Sequence, residues 1–399
     1  MSAPTSSTHS LGLVATCALG LEDFVAAELA ALVRGRAAEI EKSRGAVTIS
    51  GDWTDVYRAN WRLRTANRVL VEIASFDGAD GEALYQGARA LVTGGDRFGP
   101  SGALGWFADL LHPDRTFSIQ ATAAGSEIRD SRWAALRVKD GIVDAQRERW
   151  GRRANVERED PDLALRLRLH RDRATLLLDT SGEPLDRRGY RLDGGTAPVR
   201  EHLAAACVLA ASWDGKGPVV DPMCGAGTLL IEAADIALGR APGRLRKGFA
   251  FERLPGFDPR RYARVRSEAI PALTAPQDLT LYGNDQSANA LAAARANLER
   301  ADLLPHAHLT RGDAFALETP APPPGLLLVN PPHGHRLQES GEGDLWRQLG
   351  DLLKQRFRGY RAVVLAGETH GKGIGLKPKR RIPIWNGPLE GRILIFDLY

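Results

Sequence analysis

The chain of 399 residues is long enough for two or three domains, and its 43% hydrophobic content is typical of a folded globular protein. The net charge of +4 permits nucleic-acid binding without establishing it, because the electric field depends on where the charges cluster. Cys17, Cys207 and Cys224 have no CxxC or histidine-rich partner, so neither a disulfide framework nor a metal site is expected, which fits a reducing cytoplasm. No run of eighteen apolar residues occurs, so no membrane span is expected.

The first fifty or so residues predict a small α+β unit. The pattern indicates strands at 12–16 and 46–50, with a helix at 21–33 between them. Glu22 and Asp23 interrupt the apolar run and no Lys or Arg precedes it, which argues against a signal peptide.

Strands and helices alternate at short spacing from residue 55 to about 167. Strands are expected at 70–74, 117–121 and 163–169, and helices at 84–92 and 133–149. Cations cluster near the second helix, with Trp133 and Trp150 among them, and such residues can contact RNA phosphates and stack on bases. The candidate RNA-binding residues here are Arg129, Arg132, Lys139, Arg152 and Arg153. The alternative is a solvated helix with ion pairs between neighbouring turns.

A strand, a glycine turn and the start of a helix lie within residues 219–234, after a helix expected at 199–213. The strand ends in Asp221, Gly225 and Gly227 allow a tight turn, and Thr228 is expected to cap the helix. The segment lacks the G-x-G-x-x-G and P-loop patterns that bind phosphates. Since an acidic residue repels phosphate but accepts hydrogen bonds from a cationic amino-acid group, this turn suits S-adenosylmethionine. The alternative is an ordinary strand-to-helix turn.

Two acidic residues follow at the ends of the next strand-like runs. Asp285 comes after a strand at 279–282 and before a helix at 287–300, and Asp313 follows a strand at 307–310. We expect Asp285 to accept from ribose hydroxyls and Asp313 to accept from an adenine amine. Each alone is commonly a helix cap, but the order of three favours a cofactor site. The stretch 239–259 between the first two units predicts a functional or mobile loop.

The fourth strand, at 326–329, ends in Asn330, Pro331, Pro332 and His333. Tandem prolines donate no backbone hydrogen bonds and hold the chain extended. The Asn330 side-chain oxygen and the Pro331 carbonyl are therefore available to accept from a planar amine, and the ring at 333 can stack on the base that carries it. The alternative is a proline-rich surface turn. Near the C-terminus, Lys379 and Arg380 lie in a basic segment that can reach RNA phosphates, and a final strand is expected at 392–398.

With the motifs DPMCGAGT, GND, GDA and NPPHG, the chain resembles class I S-adenosylmethionine-dependent methyltransferases that modify exocyclic amines. The segment 127–191 and the C-terminal WNGPLEGRILIFDL resemble the THUMP-containing bacterial enzymes that methylate guanine N2 in 23S ribosomal RNA, an RlmL-like family, here without a second methyltransferase module. The family usually has Tyr or Phe where this chain has His333, which makes stacking on the base weaker.

This resemblance implies an α/β fold: a Rossmann-like, doubly wound methyltransferase domain at 168–399, a THUMP RNA-binding domain at 55–167 and a ferredoxin-like α+β unit at 1–54. It implies S-adenosyl-L-methionine as cofactor and RNA as partner, with no membrane and no metal. The residues expected to bind the cofactor are Asp221, Pro222, Met223, Cys224, Gly225, Gly227, Thr228, Asp285, Asp313, Ala314 and Asn330. A transfer-RNA guanine methyltransferase and a non-catalytic RNA-binding protein remain alternatives.

Overall fold

The computed structural model describes residues 10–33, 35–93, 110–191, 199–269, 279–332, 342–367, 372–387 and 389–399. Within these ranges the chain forms two seven-stranded sheets. No helix in the same ranges combines the length and the apolarity needed to cross a membrane.

The first sheet is built by the N-terminal half of the chain. Its elements are β1 (Leu11–Cys17), α1 (Glu22–Leu32), β2 (Glu41–Ser43), β3 (Ala46–Gly51), α2 (Trp53–Arg62), β4 (Ala66–Asp77), α3 (Gly81–Thr93), β5 (Phe117–Ala124), α4 (Ser131–Trp150), β6 (Leu163–His170) and β7 (Arg173–Asp179). The strand order is β2-β3-β1-β4-β7-β6-β5, and only β5 and β6 pair in parallel. The strands and helices expected here are confirmed, while β2, α2 and β7 were not predicted.

The sheet does not divide where the sequence suggested. The twelve-residue strand β4 pairs with β1 through its first half and with β7 through its second half, so one sheet spans the N-terminal unit and the following module. The divisions expected after residues 54 and 167 fall inside α2 and β6, respectively. A continuous ladder favours a single division, and we propose to place it after Asp179.

The second sheet is the doubly wound, Rossmann-like sheet. Its elements are α5 (Glu201–Ala210), β8 (Val219–Asp221), α6 (Thr228–Ala237), α7 (Pro259–Ala269), β9 (Leu281–Asp285), α8 (Ala288–Arg300), β10 (Ala307–Arg311), β11 (Leu326–Val329), α9 (Glu342–Arg356), β12 (Arg361–Gly367), β13 (Arg380–Asn386) and β14 (Leu389–Asp397). The order is β10-β9-β8-β11-β12-β14-β13, parallel from β10 to β12 and antiparallel beyond. β8 and β11 are buried along their whole length, as expected of central strands covered on both faces.

The two halves of the chain meet in an aromatic cluster. Tyr57 and Trp61 of α2 pack against Phe249, Phe251 and Tyr262, with ring centroids 4.6 Å apart for Tyr57 and Phe251 and 5.9 Å apart for Trp61 and Phe249. Both phenylalanines belong to the stretch 239–259 that the sequence marked as a functional or mobile loop. In the structure this stretch contains two short 3₁₀ turns, Pro242–Leu245 and Ala250–Arg253, and Phe249 and Phe251 at the second turn are buried at the junction.

Candidate active site

The candidate site lies where the strand order of the second sheet reverses. β8 pairs with β9 on one side and with β11 on the other, so the loops after β8 and β11 leave the sheet in the same direction on opposite sides of the reversal. Ligands of open α/β sheets bind at this point, outside the carboxyl ends of the strands. Asp221 ends β8, and Asn330 follows β11 directly.

Residues 222–226 make a tight loop between β8 and α6, which we call the cofactor loop. Asp221 accepts a hydrogen bond from the Met223 amide at 3.1 Å, and Gly227 donates to the Cys224 carbonyl at 2.8 Å. Gly225 and Gly227 have φ of +53° and +80°, a region that side chains with a Cβ rarely adopt. A Cβ built on Gly225 would meet no atom within 4 Å, so the loop faces open space at that residue.

Thr228 does not cap α6 as predicted. Gly227 occupies the N-cap position without a side-chain cap, and the Thr228 hydroxyl accepts a hydrogen bond from Arg191 Nη2 at 2.6 Å. Arg191 also donates to the Val199 carbonyl and lies 3.4 Å from Glu201. The hydroxyl is therefore used to anchor a neighbouring arginine, which no local sequence pattern indicates.

Asp285 and Asp313 lie after the neighbouring strands β9 and β10, in the order expected. Asp285 accepts from the Gly225 amide at 2.9 Å and from the Ser287 amide at 2.8 Å, so it braces the cofactor loop. Asp313 is exposed and accepts from the Phe315 amide at 3.0 Å, which makes it the cap of a 3₁₀ turn that begins at the buried Ala314. The capping role that the sequence left open for Asp313 is thus present, and its adenine contact stays a prediction.

Burial controls the ionisation of the carboxyl groups at this site. Asp221 is 1% exposed, and burial, followed by the nearby charge of Asp285, raises its pKa to about 8. Burial also raises the pKa of Glu201 to about 7 and that of the Cys224 thiol well above its usual range, so Cys224 is a neutral packing residue here. A cationic ligand group placed against Asp221 would favour the charged carboxylate.

The donor set fits the cofactor expected from the sequence. Three carboxylates lie at or just after the ends of three adjacent strands, and the glycine turn leaves open space beside them. Such a site favours a ligand with a cationic amino-acid end and sugar hydroxyls over a phosphate.

The reaction centre begins at the end of β11. Asn330 is half-buried, Pro331 is buried and Pro332 is half-buried, and all three directly follow the buried strand β11. His333 lies outside the described residues, so its expected stacking role stays a prediction.

The cations expected to bind RNA differ in their surroundings. Lys139 and Arg152 form ion pairs with Asp140 and Asp114, and Lys379 forms one with Asp397. The other four candidates are exposed, and none of them forms an ion pair with a residue that the structure describes. They are Arg129, Arg132, Arg153 and Arg380. Trp133 beside them is 44% exposed. The exposed set is therefore the better candidate surface for RNA.

Three family models match this chain. The "RMKL-like, methyltransferase domain" model covers residues 188–392, the "RlmL ferredoxin-like domain" model covers 12–70, and the "THUMP domain" model covers 106–179.

Curated relatives match along almost the whole chain. "Putative RNA methyltransferase slr0064" of Synechocystis sp. is 35% identical, with 96% of each chain covered. "Ribosomal RNA large subunit methyltransferase K/L" of Syntrophotalea carbinolica is 38% identical over 96% of this chain and 53% of its own length. The chain thus spans about half the length of the K/L relatives that it matches.

Solved structures share the architecture. "A predicted N6-adenine-specific DNA methylase" from Listeria monocytogenes superposes with a TM-score of 0.83 at 28% identity, covering 98% of this chain and 97% of that one. "SMU.472, a putative methyltransferase complexed with SAH" gives 0.82 at 27% identity, covering 98% and 99%. The matches to the three family models, and to an RNA methyltransferase relative covered over 96% of its length, show that the chain belongs to the RMKL-like family of RNA methyltransferases, with an N-terminal ferredoxin-like domain and a THUMP domain.

Proposed function

We propose that this protein transfers a methyl group from S-adenosyl-L-methionine to the exocyclic N2 amine of a guanine in 23S ribosomal RNA. The observation that carries the proposal is the position of Asn330-Pro331-Pro332, which follows β11 directly beside the acidic cofactor loop of β8. The THUMP domain and the relatives named for large-subunit ribosomal RNA support RNA, and ribosomal RNA in particular, as substrate. We also place the protein in the cytoplasm, which suits its three buried free cysteines.

The residues that would hold the cofactor are those at the three strand ends. Asp221 would face its cationic amino-acid end, Asp285 the ribose hydroxyls and Asp313 the adenine amine, while residues 222–228 would surround it with backbone. When bound, the cofactor supplies an electrophilic methyl group on a positively charged sulfur.

The chain's own contribution to the reaction is orientation. The Asn330 side-chain oxygen and the Pro331 carbonyl would accept from the guanine amine and aim its nitrogen at the methyl group. No strong base is needed, because the nitrogen becomes far more acidic once it has attacked. Since a paired guanine hides this amine, the base must be extruded or presented in a loop. Arg129, Arg132 and Arg153 would hold phosphates of the same RNA at a distance from the site.

The test of this assignment is the variant Asn330→Ala. Removing the acceptor that aligns the amine should lower turnover by about 100-fold or more while changing cofactor affinity little. Asn67→Ala, which truncates a half-buried asparagine of β4, is the matched control and should leave turnover unchanged. Turnover is measured on ribosomal RNA at saturating cofactor, and affinity by calorimetry. An Asn330→Ala protein that methylates as fast as the parent would show that this loop does not hold the reacting base.

A further inference from the structure

We propose that Asn284 and Asn297 are positioning residues that hold the cofactor loop in its binding shape. This inference rests on the proposed function, because it takes residues 222–226 as the wall of the cofactor site. It concerns how the site is held, and neither asparagine was singled out as a site residue from the sequence.

The strand ladder stops before the cofactor loop begins. β8 is three residues long, and its pairing with β9 ends where Asp221 faces Gly283. Its pairing with β11 covers Val219 and Val220 alone. The loop beyond Asp221 therefore needs other bonds to fix its conformation, since a free loop of this length samples many conformations.

Asn284 supplies the first of these bonds. It is 3% exposed, and its Nδ2 donates to the Pro222 carbonyl and to the Gly312 carbonyl, both at 3.0 Å. Its Oδ1 accepts from the Thr310 hydroxyl at 3.2 Å, and its main-chain carbonyl accepts from the Cys224 amide at 2.8 Å. One buried amide thus joins the loop after β8 to the loop after β10.

Asn297 holds the far end of the same loop from helix α8. It is 2% exposed, its Nδ2 donates to the Ala226 carbonyl at 3.0 Å, and its Oδ1 accepts from Arg300 at 2.9 Å. With the bond from the Gly225 amide to Asp285, two carbonyls and two amides of the cofactor loop are bound by residues between Asn284 and Asn297. The second strand-helix unit therefore shapes the loop that follows the first strand.

Amide side chains suit the chemistry of these contacts. The Pro222 and Ala226 carbonyls are acceptors, so they need donors, and a carboxylate in either position would place oxygen against oxygen. A lysine or arginine would donate but would also neutralise the carboxylates of Asp221 and Asp285 nearby. Asparagine donates without charge, which leaves the acidic character of the site unchanged.

A positioning role has a specific kinetic signature. Among the residues that the structure describes, neither asparagine is hydrogen-bonded to Asn330, Pro331 or Pro332, so removing its amide should weaken cofactor binding and leave the chemical step alone. Asn284→Ala and Asn297→Ala should each raise the dissociation constant for S-adenosylhomocysteine by about tenfold or more. At saturating cofactor, turnover should stay within about threefold and the KM for RNA should not change.

Asn60→Ala is the matched control. Asn60 of helix α2 is 1% exposed and donates to the Val56 carbonyl at 3.0 Å and to the Thr180 hydroxyl at 2.9 Å. This variant should lower the melting temperature but leave the dissociation constant within about twofold. Should Asn284→Ala not fold, Asn297→Ala carries the test, because alanine favours the helix in which it would lie.

Calorimetric titration of S-adenosylhomocysteine into parent and variants decides the matter. Unchanged affinity in both loop variants would overturn the inference, and so would an equal loss in Asn60→Ala, which would mean general destabilisation. A parent protein that binds no S-adenosylhomocysteine would instead overturn the proposed function, and the inference with it.

Discussion

Asp221 is the residue through which cofactor affinity depends most directly on pH. Burial raises its pKa to about 8, whereas an unfolded chain would have a value of about 3.9. Between these two values the folded state binds the extra proton, so the contribution of Asp221 to stability falls as pH rises from about 4 to 8. The charged carboxylate of Asp221 is therefore less stable in the free protein than in a complex with a cationic ligand.

We expect the affinity for S-adenosylmethionine to rise with pH, by up to about tenfold per unit below pH 8, and to level off above it. The reason is that the cationic ligand binds the ionised form of Asp221. Calorimetry across pH 6–9 measures this.

Glu201, whose pKa is raised to about 7, lies by Arg191 and titrates in the same range, so Asp221→Asn is the control. This variant should bind more weakly, with a flatter profile. A pH profile that keeps the parent's slope in Asp221→Asn would assign the effect to another group.

Some site residues could be predicted and others could not, for a physical reason. Asp221 and Asn330 come directly after apolar runs, and Asp285 and Asp313 follow strand-like runs within three residues, so their order along the chain indicates that they gather at one edge of a parallel sheet. By contrast, Asn284 and Asn297 find their partners more than sixty residues away, at Pro222 and Ala226. No local pattern reports such contacts.

At the scale of elements, helix α6 joins the cofactor loop to the connection between the two halves of the chain. Its Glu232 is 1% exposed and lies 3.3 Å from Arg188, which is 3% exposed, and it accepts from the Tyr190 hydroxyl at 3.2 Å. Arg188 also donates to the Leu185 carbonyl and to the Arg64 carbonyl, which lies between α2 and β4 in the N-terminal half. The helix that begins at the cofactor loop is therefore linked to the N-terminal half through Arg188, which pairs with Glu232 and donates to the Arg64 carbonyl.

Removing one partner of this ion pair should lower the free energy of unfolding, while replacing both partners with apolar residues should change it little. Arg188→Met leaves Glu232 buried without its cation and should lower the free energy of unfolding by about 3–5 kcal/mol. The double variant Arg188→Met with Glu232→Leu removes both charges and should recover most of that loss.

Urea denaturation of the two variants and the parent makes the comparison. If the double variant is as unstable as the single one, the cost comes from lost packing and the charges are not the cause.

Several elements with an apolar run were predicted, whereas β7 and β12, which also contain apolar runs, were not. β11 is wholly buried and follows the apolar run that the sequence shows. The β6–β7 hairpin has no sequence signal, because Arg171 and Asp172 form its turn. Both have positive φ, where a hairpin pattern would have Gly or Asn. Helix α2 was not predicted, although it begins at a capping box formed by Asp52 and Asp55 that the sequence contains.

At the scale of the whole molecule, an aromatic cluster and several hydrogen bonds connect the N-terminal half to the methyltransferase half. The continuous sheet joins the ferredoxin-like and THUMP regions, and the cluster around Tyr57 and Phe251 packs this unit on the methyltransferase domain. A hydrogen bond from the Trp385 amide to the Leu19 carbonyl adds a second contact between the halves. Under the proposed function, RNA bound by the exposed THUMP arginines would thus lie at a fixed distance from Asn330.

Comparative mass mapping of ribosomal RNA from cells with and without this protein tests the central claim most directly. We predict that one N2-methylguanosine disappears from 23S ribosomal RNA, and that the parent gene restores it whereas the Asn330→Ala gene does not. A 23S pattern that is unchanged, with the lost methyl group found on transfer RNA or on an adenine, would contradict the account.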